Sequence, residues 1–159
     1  MPTMKGLQRE SRVARWFWPI LLGLVVVGGG LRFLQRAEYL SGHPLSAFPI
    51  ADAQTYWDWA GHIAAGQLND GQPFFSAPLY PYLLGLLRAC GGGLPAIYTC
   101  QIFLDLITVV LLATIARRRY GPVVGLLSAG LFLLLLEPAS FSLRVLASSV
   151  QLPLVCLVW

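Results

Sequence analysis

The apolar stretch 94-LPAIYTCQIFLDLITVVLLATIA-116 decides the class of fold to which this chain of 159 residues belongs. It contains one charged residue, Asp105, and the three arginines 117–119 follow it directly. Its length suits a helix that crosses the hydrocarbon core of a bilayer, which takes about 20 apolar residues. The composition agrees, because 57% of all residues are hydrophobic and only 11% are charged, against about 25% charged in soluble domains. With a mean hydropathy of +0.68, the chain is predicted to have lipid as its solvent.

Three further apolar runs lie outside this stretch, over residues 16–35, over residues 122–136 and from about Phe141 to Trp159. The run over 16–35 is long enough to span only if Arg32 extends its charge to the interface. The run over 122–136 is short, which implies a tilt or local thinning of the bilayer. Because the last run is still apolar at Trp159, we expect an N-terminal fragment of a longer protein. The predicted fold class is an all-α integral membrane protein, with about four transmembrane helices, the last one truncated, and two interfacial helices in a long first extracytoplasmic loop.

Other classes of protein fit the sequence less well. The three cysteines are odd in number and widely spaced, so they predict neither a disulfide framework nor a zinc site. The formal charge of +4 does not indicate nucleic-acid binding, because the cations lie beside apolar runs. A cleaved signal peptide is the alternative for the first run, but no small-residue cleavage site follows it closely. We therefore predict an uncleaved anchor.

The basic residues predict the orientation in the membrane. The first 15 residues carry four Lys or Arg and one acid, and the turn after the second span carries three Arg and no acid. Two crossings separate these segments, so both are predicted on the cytoplasmic side of a bacterial plasma (inner) membrane. In order along the chain we predict a cytoplasmic basic tail over 1–15, transmembrane helix 1 over 16–35, an extracytoplasmic loop over 36–93, transmembrane helix 2 over 94–116, a cytoplasmic turn over 117–121, transmembrane helix 3 over 122–136, and an outer turn with the start of transmembrane helix 4 over 137–159.

The outer loop is too long to be a simple connection between helices, and it is too rich in aromatic residues to be disordered. Asp52 is a good N-cap and Gly66 a good residue just past a helix end, so residues 52–66 predict a short helix. Its amphipathic pattern is typical of a helix that lies in the interface. A second surface helix is predicted near 79–90, because Pro78 and Pro81 suit the first turn of a helix.

Two motifs in this loop resemble the first outer loop of the GT-C glycosyltransferases. The first is 51-ADAQTY-56, followed by Ala60 and 63-IAAG-66, and the second is 73-PFFSAPLYP-81. More narrowly, they resemble the bacterial protein-mannosyltransferase-like and aminoarabinose-transferase-like branch, of the glycosyltransferase family 39 type. The arginines after the next span also fit, and the resemblance covers about residues 16–159.

The resemblance implies an inverting transferase that moves a sugar from a polyprenyl-phosphate carrier to a lipid, glycan or protein acceptor at the outer membrane face. Asp52 would act as the catalytic base on the acceptor hydroxyl, or orient it, and such a base typically contributes about 10²–10⁴-fold to the rate. Asp52 could also be a helix cap alone. As a fragment, the chain is expected to be inactive by itself. The candidate substrate-binding residues are Tyr56, Asp58, Tyr80 and Arg88, for which the alternatives are interfacial anchors and solvated surface residues.

Two positions depart from the family pattern. Ala53 follows Asp52 where mannosyltransferases of this group often have Glu, and Ala77 lies where aminoarabinose transferases have Lys. The cation for the carrier phosphate must therefore come from elsewhere, with Arg88, Arg36 or a residue beyond Trp159 as candidates. Near the outer ends of the last two runs, Glu137 and Arg144 could also touch phosphate, the alternative being that each extends its charge to the membrane interface. Related transferases differ in their use of metals, and no acidic cluster is evident here, so the cofactor is unknown and a divalent metal stays open.

A second interpretation is a non-catalytic multi-spanning membrane protein, such as a transporter subunit or an assembly partner. Asp105 would then matter more than Asp52, because a carboxylate inside a membrane is a functional hypothesis by default. Gln101 and Thr108 share its helix face, so the three could equally form a polar stripe satisfied within a helix bundle. Both interpretations have the lipid bilayer as a partner and no nucleic acid.

Overall fold

A computed structural model describes residues 4–46, 48–68, 78–135 and 143–159 of the chain. Over these residues the backbone forms α-helices and one short 3-10 turn, Pro44–Ser46, and no strand, which confirms the predicted all-α class. The helices are α1 (Met4–Gly42), α2 (Asp52–Ala64), α3 (Leu79–Ala89), α4 (Leu94–Tyr120), α5 (Pro122–Leu134) and α6 (Ser148–Val158).

Two of these helices are long and apolar enough to cross a membrane, Val13–Gly42 within α1 and the whole of α4. The apolar helices α5 and α6 contain 13 and 11 residues. At 1.5 Å per residue they measure roughly 20 Å or less, which is shorter than the hydrocarbon core of about 30 Å. Four spans of full length are therefore not present as helices in the described part of the chain.

Helix α1 is longer at both ends than the predicted span over 16–35. The flanking residues include Lys, Arg, Gln, Glu, Ala and Leu, which are good helix formers. An apolar run fixes the part of a helix that lipid can cover, but it does not fix where the helix ends. The segment between the two long helices consequently begins at His43 rather than at Arg36.

Helix α6 begins at Ser148, well after the predicted start of the fourth run near Phe141. Residues 136–142 lie outside the described part of the chain, and residues 143–147 are not helical. This short segment forms hydrogen bonds with α4 instead, including one from the Gln101 amide to the Arg144 carbonyl. Apolar composition alone does not distinguish such a buried irregular segment from a helix.

Helices α1 and α4 pack antiparallel, with α5 alongside both. The Arg117 guanidinium lies 4.4 Å from the ring centre of Phe17 at one end, and Arg36 donates to the Pro95 carbonyl at the other. A Cβ on Gly125 of α5 would lie 2.6 Å from the Ala113 carbonyl oxygen and 2.9 Å from the Phe17 ring, so glycine permits this close approach of helices. We call the end with Arg117 the arginine end and the end with Pro95 the loop end.

Helices α2 and α3 form a folded platform at the loop end. They pack against each other through Tyr56, Ala60, Tyr80 and Leu84, and the same core includes the first turns of α4 and residues 145–150. A Cβ on Gly85 would lie 2.5 Å from Cγ2 of Ile63, so the two helices are in close contact there. The platform is thus fixed to the bundle and can hold side chains in defined positions.

Arg32 and Asp105 form a buried ion pair between α1 and α4. Their exposed fractions are 3% and 5%, and the Nε atom of Arg32 donates to the Asp105 carboxylate. The prediction that Arg32 extends to the interface is therefore wrong, because a carboxylate on the facing helix neutralises its charge inside the bundle. Gln101 and Thr108 are buried as well, so all three residues of the predicted polar stripe lie inside the bundle.

Candidate functional site

A cavity of about 450 Å³ opens at the loop end, where α1 ends and α2 and α4 begin. This volume lies within the range of roughly 300–1,000 Å³ that is typical of small-molecule sites. Its walls come from four separate parts of the chain, namely the end of α1, residues 49–53, the start of α4 and residues 144–146. The lining side chains that can donate or accept hydrogen bonds or carry charge are Tyr39, His43, Asp52, Tyr98 and Arg144.

The aromatic wall of the cavity is built by α1 and α4. The rings of Tyr39 and His43 stack with their centres 4.9 Å apart, and Tyr39 meets Tyr98 edge to face at 5.8 Å. The Tyr98 hydroxyl donates to the Ser46 carbonyl at 3.3 Å. This side of the cavity is therefore held by contacts among three rings and one backbone group.

Asp52 is the first residue of α2, and it lines the cavity together with its neighbours Ala51 and Ala53. The prediction that Asp52 is the N-cap is wrong by one residue, because Ala51 occupies that position and offers no side-chain oxygen to the first turn. At the other end, Gly66 follows the helix with φ +88°, which agrees with the predicted stop. Asp52 is exposed and lies in the first helical turn, where the helix dipole favours a negative charge.

Ala51 holds the backbone in a strained conformation next to the cavity, with φ 53° and ψ −129°. Non-glycine residues in such regions cost of order 1–3 kcal/mol. We expect Ala51→Gly to stabilise the fold by about 1 kcal/mol, because the relief of strain exceeds the roughly 0.4–1 kcal/mol by which glycine favours the unfolded chain. The free energy of unfolding in detergent micelles measures this. Ala53→Gly, two residues later in regular helix, should instead destabilise the fold by about 0.5–1 kcal/mol, and a loss of stability in both variants would contradict the prediction.

Gln101 fixes the wall that carries Arg144. Its side chain is 2% exposed, and its amide nitrogen lies 2.9 Å from the Tyr80 hydroxyl and 3.0 Å from the Arg144 carbonyl. The amide therefore ties α3 and residues 144–146 to α4. Burial, with smaller effects of Tyr56 and Tyr98, raises the pKa of the Tyr80 phenol above its ordinary value, so this hydroxyl stays neutral.

The other predicted substrate ligands lie away from the cavity. Tyr56 and Tyr80 are buried in the platform, with their rings edge to face at 5.1 Å. Arg88 lies 3.9 Å over the Trp57 ring and donates to the Trp57 carbonyl at 2.7 Å, so it holds α3 against α2. Asp58 is exposed on α2 and does not line the cavity. Of the five predicted site residues, the structure brings only Asp52 to the cavity.

His43, Tyr39 and Tyr98 are cavity residues that the sequence did not single out, and Arg144 was one candidate among several. No local motif marks them, because they meet only when α1 continues to Gly42 and residues 144–146 fold against Gln101.

Residues 73–77 of the second family motif, and Glu137, lie outside the described residues. Across the described ranges, no three His, Cys, Asp or Glu side chains lie close enough together to hold a metal ion.

Comparisons of this chain with protein-family models, with curated proteins and with solved structures find no match. Any functional assignment therefore depends on the cavity itself and on the motifs around Asp52.

Proposed function

We propose that this chain is part of a membrane glycosyltransferase of the GT-C type, which transfers a sugar from a polyprenyl-phosphate carrier to an acceptor at the outer membrane face. One observation carries the proposal: an acidic residue, Asp52, and a basic residue, Arg144, line the same cavity. Such a reaction needs a base for the acceptor hydroxyl and a cation for the carrier phosphate. Arg144 replaces Arg88 and Arg36 as our candidate for that cation, because both of these donate to backbone carbonyls elsewhere.

The proposed topology has four crossings, by α1, α4, α5 and α6, in a bacterial plasma membrane. The antiparallel packing of α1 and α4 supports it, because Arg15 and the arginines 117–119 then share one end, while the cavity lies at the other. Basic residues favour the cytoplasmic side, which leaves the platform and the cavity outside. The short helices α5 and α6 require a locally thinner bilayer.

In the proposed reaction, Asp52 accepts the proton of the acceptor hydroxyl as the acceptor oxygen forms a bond with the anomeric carbon. The bond between that carbon and the phosphate oxygen breaks on the opposite side, and the electron pair leaves with the polyprenyl phosphate. Arg144 stabilises the charge on the leaving phosphate. The ring of Tyr39, supported edge to face by the buried ring of Tyr98, provides a rigid wall for the sugar.

The test is transfer of a labelled sugar from a polyprenyl-phosphate donor, measured with the product of the complete open reading frame in proteoliposomes. We expect Arg144→Gln to lower kcat/KM for the donor by about 10–100-fold, because a hydrogen bond to a charged group contributes roughly 1.5–3 kcal/mol. Arg15→Gln removes the same charge at the arginine end and should change kcat/KM less than twofold. Equal kcat/KM for the wild type and Arg144→Gln would exclude Arg144 from the site, and absence of transfer by the wild type would refute the proposed function.

The alternative, a transporter subunit or assembly partner, depends on Asp105. The ion pair with Arg32 engages that carboxylate inside the bundle, which is why we prefer the transferase.

A further inference from the structure

A second groove, of about 240 Å³, lies at the arginine end between the last turns of α4 and α6. It has an apolar floor and a basic rim, and it is far along α4 from the cavity that contains Asp52. The lining residues that matter here are Leu111, Ile115, Arg118, Arg119, Leu157 and Trp159.

The rim of the groove carries two positive charges. Arg118 and Arg119 are both exposed, whereas Arg117 is engaged with the rings of Phe17 and Trp18 at 4.4 and 5.5 Å. Arg119 lies 5.9 Å from the ring centre of Trp159, on the side of the groove formed by α6. None of the described residues that line the groove is acidic, so no negatively charged side chain among them would repel an anion.

The floor of the groove continues into an apolar surface. Ile107 on α4 is 50% exposed, and Leu157 and Val158 on α6 are 66% and 87% exposed. A soluble anion would gain nothing from this surface. A phospholipid would gain from both parts, because its phosphate can lie at the rim while its acyl chains follow the apolar residues below.

We infer that this groove binds the headgroup of an anionic phospholipid. Arg118 and Arg119 contact the phosphate, and the Trp159 ring lies at headgroup depth, where tryptophan is enriched in membrane proteins. Basic pockets between transmembrane helices on the cytoplasmic side are suited to such headgroups. The inference rests on the proposed membrane topology but not on the proposed transferase activity, since it concerns a different end of the bundle.

The test compares lipids that remain bound to the full chain when it is released from nanodiscs of mixed phosphatidylglycerol and phosphatidylcholine, measured by native mass spectrometry. We expect phosphatidylglycerol to be enriched, with each arginine contributing about fivefold to the preference. R118Q and R119Q should therefore each lower the preference about fivefold, and R118K/R119K should retain it. R15Q, which removes an exposed charge from the same end but outside the groove, should change it less than twofold.

Three outcomes would overturn the inference. The first is equal retention of the two lipids by the wild type. The second is an equal loss of preference in R15Q and in the groove variants, which would indicate a general attraction to negative surfaces. The third is displacement of the bound lipid by soluble glycerol phosphate, which would indicate a site for a small anion. Circular dichroism of each variant shows whether its helices are intact, and the two single Gln variants serve as independent tests if one of them does not fold.

Discussion

Replacing Asp52 by Asn is expected to lower the rate of sugar transfer by about 10²–10⁴-fold, the usual contribution of a general base. Asparagine keeps the shape of the side chain but cannot accept the proton of the acceptor hydroxyl. The binding of the donor should change little, because the phosphate contact is assigned to Arg144. The measurement is kcat for transfer from a polyprenyl-phosphate sugar, with the donor concentration above KM, in proteoliposomes that contain the product of the complete open reading frame.

Asp58→Asn is the matched control for this prediction. It makes the same change on the same helix, at an exposed residue that does not line the cavity, and we expect less than a twofold effect on kcat. Asp52→Asn should also cost less than about 1 kcal/mol of stability, the size of a favourable charge–dipole contact at a helix terminus. A kcat for Asp52→Asn within twofold of the wild type would remove Asp52 from the mechanism, and an equal loss in both variants would point to a disturbed helix instead of a missing base.

Local patterns in the sequence were sufficient for several parts of this fold. The start of α2 to within one residue, the glycine just past its end at Gly66 and the start of α3 at Leu79 follow from an aspartate, a glycine and prolines at particular positions. The start of α4 at Leu94 follows equally from the glycines before it. Such features depend on residues within one or two helical turns of each other, so a sequence contains the information needed to predict them.

The cavity depends on contacts that no local pattern contains. Tyr39, Asp52, Tyr98 and Arg144 come from four segments, and the last is placed by hydrogen bonds from Gln101, more than 40 positions earlier in the chain. For the same reason, Arg88 was a reasonable candidate by its charge and position, but it lies over the ring of Trp57. Charged residue types can be listed from a sequence, whereas the partner that each one meets is a property of the packing.

Arg32 illustrates the same limit and leads to the largest stability effect that we expect. Its guanidinium lies between α1 and α4, bonded to Asp105 and, at 3.5 Å, to the Gly28 carbonyl. Its Nη2 atom has no hydrogen-bond partner among the described residues.

Removing one partner of a buried pair leaves an uncompensated charge, so we expect Arg32→Met or Asp105→Leu to destabilise the chain by about 3–5 kcal/mol. The free energy of unfolding in detergent micelles measures both variants, and Thr108→Val serves as a control, because its hydroxyl donates within its own helix, to the Leu104 carbonyl.

The double variant Arg32→Met/Asp105→Leu separates a structural role of this pair from a functional one. Replacing a buried ion pair by apolar residues of similar volume is often neutral or stabilising, so the double variant should lie within about 1 kcal/mol of the wild type or above it. A double-mutant cycle then gives a coupling energy of several kcal/mol between the two residues. If the pair serves only to join α1 to α4, the double variant also retains sugar transfer. A double variant that is as stable as the wild type but has lost sugar transfer would instead make the Arg32–Asp105 pair part of the function.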